Sequence, residues 1–204
     1  MELLQALLLT LAAGASAILV GRARRRYGEA DQPALFSALL GFVLAAASGA
    51  TRLGGGELAE AQQWLERASL LLGLPLIALA ALTLARRWAW SRPNWGRVVL
   101  GLCVFFELAR QLGWSEPYAF GLLLASALLV IYAAVLQWPA RLPSMAGLLA
   151  GLLLLATARL PQATALGNPL SEAGPLLLAI ASPLLASLLL HLPGSASVDG
   201  RAAA

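Results

Sequence analysis

The sequence predicts an all-α, polytopic membrane bundle of about seven transmembrane helices, and three observations carry that prediction. Of the 204 residues, 60% are hydrophobic and 12% are charged. The apolar residues form long runs instead of amphipathic stripes, which removes a water-soluble fold from consideration. Several runs reach the roughly 20 residues that cross a hydrocarbon core about 30 Å thick at 1.5 Å rise per residue. The connections are short, so a single transmembrane domain is expected over residues 1–193. Residues 194–204 are small and polar and read as a disordered tail.

The runs lie at about residues 3–20, 34–51, 65–85, 96–114, 117–138, 144–160 and 170–192. In the first, Ala15-Ser16-Ala17 resembles a signal-peptide cleavage site. Glu2 precedes the run and arginines follow it, the reverse of a signal peptide's charge order, so the segment is expected to remain as a helix. In the second, Ser37, Gly41, Ala45 and Gly49 recur at every fourth position, and Gly147 and Gly151 do the same in the sixth. Such stripes let helix backbones approach closely. Pro75, Pro175 and Pro183 interrupt hydrogen bonding in the third and seventh runs, as packing kinks or as breaks whose freed carbonyls line a cavity.

The fourth run is uninterrupted only from Val98 to Phe106 and carries Arg97, Glu107 and Arg110. Two readings stand: a true span shielded in the middle of the bundle, or an interfacial or re-entrant segment that leaves six crossings. The bracketing Trp95 and Trp114 favour the span. Cys103, within this run, reads as a small core residue.

All 14 basic residues are arginine. Arg22, Arg24, Arg25, Arg26, Arg86, Arg87, Arg92, Arg97, Arg141 and Arg201 fall on one side of the proposed membrane, and Arg52, Arg67, Arg110 and Arg159 on the other. The positive-inside rule then places the N-terminus outside and the C-terminus in the cytoplasm. Aromatic residues suit the same boundaries, with Tyr27, Trp88, Trp90, Trp95 and Trp138 at the inner interface and Trp64, Trp114 and Tyr118 at the outer one. The arginine-only, alanine- and leucine-rich composition points to a GC-rich bacterial source, and hence to a bacterial inner membrane.

Two segments match internally. Ala50-Thr51-Arg52-Leu53 ends the second run and Thr157-Ala158-Arg159-Leu160 ends the sixth; Glu66 and Glu172 follow at similar distances, then leucines 70–72 and 176–178, then Pro75 and Pro183. This pattern suggests parallel repeats of three helices joined by the fourth, an arrangement found among secondary transporters.

Composition excludes several chemistries. Without lysine there is no Schiff base for a retinal. One cysteine and one histidine, His191, supply neither a thiolate cluster nor paired axial ligands, so no cofactor or metal is expected. His191, at the end of the seventh run, is accounted for by the helix dipole. The dispersed arginines do not suit nucleic acid, and neither a nucleophile elbow nor a phosphate-binding loop occurs.

Ionisable residues in membranes cost roughly 2.5–3.5 kcal/mol each at a helix centre, so embedded ones need partners or water. Arg52, Glu66, Arg67, Glu107, Arg110, Arg159 and Glu172 gather in the outer third of their helices. The candidate ligand-binding residues are therefore Arg52, Glu66, Glu107, Arg110, Arg159 and Glu172, around an outward-opening polar pocket. Glu107 and Arg110 are spaced to pair along one helix, with Gln111 beside them. The bland alternative is a set of ion pairs and snorkelling side chains that fix packing. Three functions follow: binding or transport of a small polar or amphipathic solute or lipid, a noncatalytic accessory or sensory subunit contacting a membrane partner, or an intramembrane lipid-modifying enzyme using a glutamate such as Glu107.

Overall fold

A computed structural model describes residues 2–54, 58–138, 140–158 and 174–192. These residues form seven helices: α1 (Glu2–Ala23), α2 (Gln32–Leu53), α3 (Ala59–Ala85), α4 (Arg92–Gln111), α5 (Ser115–Val135), α6 (Arg141–Ala158) and α7 (Gly174–His191). Five of them, α1, α2, α3, α5 and α7, are long and apolar enough to cross a membrane. α6 is apolar but shorter over Arg141–Thr157. The predicted tail at 194–204 lies outside the described residues.

Six helices close a ring. α1 packs on α2, α2 on α3, α3 on α5, α5 on α6, α6 on α7, and α7 back on α1. The second half of α3 also reaches α7, and its Leu76, Ala80, Ala81 and Leu84 are buried with Leu35, Phe42, Leu188 and Leu189 in one apolar core. Each buried leucine or phenylalanine side chain removes a large apolar surface from its surroundings, and the close packing that results admits few voids.

Small residues set the helix spacing where the sequence places its stripes. A Cβ on Gly41 would meet the Gly73 carbonyl oxygen at 2.5 Å, so α2 and α3 touch backbone to backbone. One on Gly49 would meet Thr10 Oγ1 of α1 at 2.6 Å, and one on Gly147 would meet Ala134 Cβ of α5 at 2.6 Å. With no hydrophobic driving force between helices in lipid, such close van der Waals approach is what holds them together.

Pro75 leaves a mark on α3. It has no N–H and its ring crowds the carbonyl four residues earlier. The helix responds by widening to a π-helical turn over Ser69–Gly73, in which the Leu74 N–H bonds the Ser69 carbonyl five residues back. Pro175 follows Gly174, the first described residue of α7, and the residues before it, toward which its interruption was expected to act, lie outside the described residues. Pro183 lies inside α7.

α4 corrects an expectation. It is not shielded in the middle of the bundle: it lies outside the ring, against α2, α5 and the π turn of α3. Among its residues only Trp95 and Ala109 are buried. Cys103 is accordingly exposed instead of core. Trp95 is packed against Trp90 with ring centroids 5.6 Å apart, and so is a buried anchor of α4 instead of a residue facing head groups. Glu107 and Arg110 in its last two turns carry charges that cost free energy in an apolar core, and its apolar residues Leu100, Val104, Phe105 and Leu108 are left exposed.

The two ends of the ring can be told apart. The hydroxyl of Tyr27, just beyond α1, lies 3.1–3.3 Å from the carbonyls of Leu189, Leu190 and Leu192 and shares its one proton among them, closing the end of α7. Arg86, after α3, donates to the Tyr132 hydroxyl near the end of α5. The arginine-rich connections therefore share one end. At the other end, the finish of α2 meets the start of α3, where Arg52 pairs with Glu66.

Candidate functional site

The end of the ring opposite the arginine-rich connections opens into a cavity of about 670 Å³. Five of the six ring helices reach it near a terminus. Arg52 and Ser48 come from the last turns of α2, Glu66, Ser69 and Leu70 from the first half of α3, Glu116 and Phe120 from the start of α5, Thr157 from the end of α6, and Gly174 and Pro175 from the start of α7. Leu9 of α1, Leu123 of α5 and Leu178 of α7 line it deeper in. Leu123 is eight residues into α5, about 12 Å along the axis. Beneath them Phe42, Ile77 and Leu185 pack around a remnant of about 20 Å³, so the cavity has a polar mouth, apolar walls and an apolar floor.

Arg52 and Glu66 form the polar centre of the mouth. Arg52 Nε donates to Glu66 Oε1 at 2.8 Å, and Gln62 Nε2 donates to the same oxygen at 2.8 Å. Both side chains of the ion pair are about one-third exposed, at 32% and 30%. Among the described residues, the terminal nitrogens of Arg52 and Glu66 Oε2 make no other hydrogen bond, so this pair of cavity-lining residues keeps donors and an acceptor unused. The local cause of this pairing is the short α2–α3 connection, which sets the last turn of one helix beside the first turns of the next. The widened turn at Ser69–Gly73 follows directly, and it places Ser69 and Leu70 on the cavity wall. Such π turns recur at functional sites because they re-aim side chains without ending a helix.

Glu107 and Arg110 do not line this cavity. On α4, Arg110 donates to Glu107 through Nε at 2.8 Å and Nη2 at 2.6 Å, and Gln111 adds a third bond to Glu107 at 3.2 Å. The pair is side-chain exposed at 60% and 46%. Its carboxylate is thus already engaged and lies outside the pocket, an arrangement that gives no support to Glu107 as a general base. Arg159 and Glu172 lie outside the described residues. Arg67 is exposed and does not line the cavity.

Sequence reasoning missed Glu116, Ser48, Ser69, Thr157 and the role of Gln62. A carboxylate beside Trp114 at the start of an apolar run was the signal for Glu116. Ser48 and Ser69 are buried hydroxyls in apolar helices, and only the ring's closure shows that they face a void. Ser48 donates to the Ala45 carbonyl at 2.9 Å, which leaves its oxygen as an acceptor. Among the described residues no group of three histidine, cysteine, aspartate or glutamate side chains converges to hold a metal ion.

Comparison with protein-family models, with curated proteins and with solved structures finds no match to this chain, so its function must be argued from this geometry alone.

Proposed function

We propose that this integral membrane protein binds, and moves across the membrane, a small amphipathic solute that enters the cavity beside Arg52 and Glu66. One observation carries the reading: a cavity of about 670 Å³, within the size range of ligand sites, with its charged residues at one end and apolar walls below. A polar head group suits the free donors of Arg52 and the acceptors of Glu66 and Glu116. An apolar body suits Leu9, Phe120, Leu123 and Leu178. Stability alone gives a weak reason for the pair, because a partly exposed ion pair contributes only about 0–1 kcal/mol.

In this reading the chain makes seven passes through a bacterial inner membrane, with the N-terminus outside and the C-terminus cytoplasmic. Support for the fourth pass comes from where α4 begins and from its length. Its first turn shares a groove with Arg24 and Gln32 at the arginine-rich end, and the Tyr118 hydroxyl, at the start of α5, donates to the Leu102 carbonyl halfway along α4 at 3.5 Å. Its 20 residues give a length of about 30 Å. The order of packing also repeats: α1 on α2 on α3, then α5 on α6 on α7, with α3–α5 and α7–α1 as the joints. That order favours the three-plus-one-plus-three repeat. Arg159 and Glu172 join the site in this proposal, because each is two residues from a cavity-lining neighbour, Thr157 and Gly174 respectively.

A second reading, an accessory subunit docking through α4, is favoured by the exposed Leu100, Val104, Phe105 and Leu108 on a helix outside the ring.

The test is ligand-dependent stabilisation in nanodiscs, using a panel of sugars, zwitterions and short-chain amphiphiles. A ligand at 100 times its dissociation constant stabilises by about 2.7 kcal/mol. Wild type should respond to a member of the panel and Ala119→Trp, which fills the cavity, should not. Silence across the panel, or an equal response from the filled variant, refutes the proposal. Purification from native lipid with a stoichiometric second membrane protein held on α4 would favour the accessory reading.

A further inference from the structure

We propose that the groove between α2 and α4 is a specific seat for an anionic glycerophospholipid of the leaflet at the arginine-rich end. This inference is independent of the solute cavity, since the groove lies on the outside of the ring and at its other end.

The groove has a volume of about 700 Å³. It exists because α4 touches the ring at few points: Trp95 is buried against the core, while Val99, Leu100 and Cys103 beyond it stand off from Phe36 and Leu40 of α2. Phe36 and Leu100 are exposed at 50% and 67%. Along α4 the groove runs from Arg92 to Cys103, about 16 Å at 1.5 Å per residue. Its walls are almost wholly apolar, a slot that suits an alkyl chain.

The head of the slot is cationic. Arg24 and Arg92 line it at the end nearest the connections, together with Gln32. The Arg24 guanidinium stands 5.1 Å above the Phe36 ring, which holds the charge over the groove instead of letting it swing into water. Among the described residues neither arginine has a carboxylate partner. Two guanidinium groups above an apolar slot match a phosphodiester above an acyl chain, since guanidinium suits phosphate recognition. Basic pockets between helices on the cytoplasmic side are where anionic head groups concentrate. The bound lipid would complete the packing of α4 against α2, contact that protein atoms alone do not supply.

Cys103 is the single cysteine of the chain and lines the groove, so its alkylation rate reports occupancy. The full chain is reacted with a small uncharged maleimide in mixed micelles containing either palmitoyl-oleoyl phosphatidylglycerol or the matching phosphatidylcholine. Phosphatidylglycerol should slow alkylation at a concentration well below that of phosphatidylcholine. Each of Arg24→Gln and Arg92→Gln should weaken this protection by about fivefold, the effect of one basic residue near an anionic surface. Arg141→Gln removes the same charge at the start of α6 and should leave protection intact. Equal protection by the two lipids, or loss of protection in Arg141→Gln as large as in the groove variants, overturns the proposal. Protection by inorganic phosphate without lipid would also overturn it, assigning the arginines to a soluble anion. Native mass spectrometry gives a second readout, with retained phosphatidylglycerol on the wild type and loss of that adduct in the double variant Arg24→Gln with Arg92→Gln.

Discussion

The Arg52 guanidinium and the Glu66 carboxylate meet at 2.8 Å across the α2–α3 connection, and both residues line the cavity. A pair about one-third exposed contributes only about 0–1 kcal/mol, and so its position is better explained by what it presents than by what it holds.

Charge reversal should therefore separate binding from stability. Arg52→Glu and Glu66→Arg alone should each destabilise by no more than about 1 kcal/mol, and the swapped double variant should recover most of that loss. The double-mutant cycle is measured by denaturant titration in detergent. A coupling of several kcal/mol would identify the pair as a structural clamp and weaken the ligand reading.

Gly41 and Gly14 should respond oppositely to substitution. Gly41→Val drives a side chain into the Gly73 carbonyl, a backbone atom that cannot step aside, and should cost about 1–3 kcal/mol. At Gly14 nothing lies within 4 Å of an added Cβ, so Gly14→Ala should be neutral or stabilise α1 by up to about 1 kcal/mol. Thermal melts of the two variants check this, and equal effects would contradict the α2–α3 contact.

Tyr27 makes a pH-dependent prediction. Burial, and next to it the charge of Asp31, push its phenol above the ordinary value of 10.0. The neutral hydroxyl is the form that donates to the α7 carbonyls. Its contribution is thus full below about pH 10 and is lost as pH rises through the raised value. Tyr27→Phe should cost about 1 kcal/mol at pH 8. The gap between wild type and variant should close above the raised value, as followed by melts from pH 8 to 11.

Membrane topology can be read with single cysteines in a Cys103→Ser background. Trp64→Cys and Trp114→Cys should react with an impermeant reagent in intact cells, and Trp88→Cys and Trp138→Cys only after permeabilisation. Trp114→Cys and Trp88→Cys reacting from the same side would remove the fourth pass.

The sequence alone determined that the chain is helical and membrane-embedded, because long apolar runs with few charges admit no other solution in lipid. It also located the close contacts at Gly41, Gly49 and Gly147, since spacing and side-chain size are local properties. The charge asymmetry was legible for the same reason. The site was legible only in part. Arg52 and Glu66 could be named, yet position along the helix favoured Glu107, the deepest of these carboxylates by sequence, over Arg52 near its helix boundary.

Only the tertiary structure divided these two pairs, by closing six helices into a ring and leaving α4 outside. Depth along a helix is set by sequence position, whereas the direction a residue faces is set by which neighbours the helix finds. Ser48, Ser69 and Glu116 became cavity residues, and Cys103 a groove residue, through that choice of neighbours. It depends on how whole faces pack, a property no single run of residues contains.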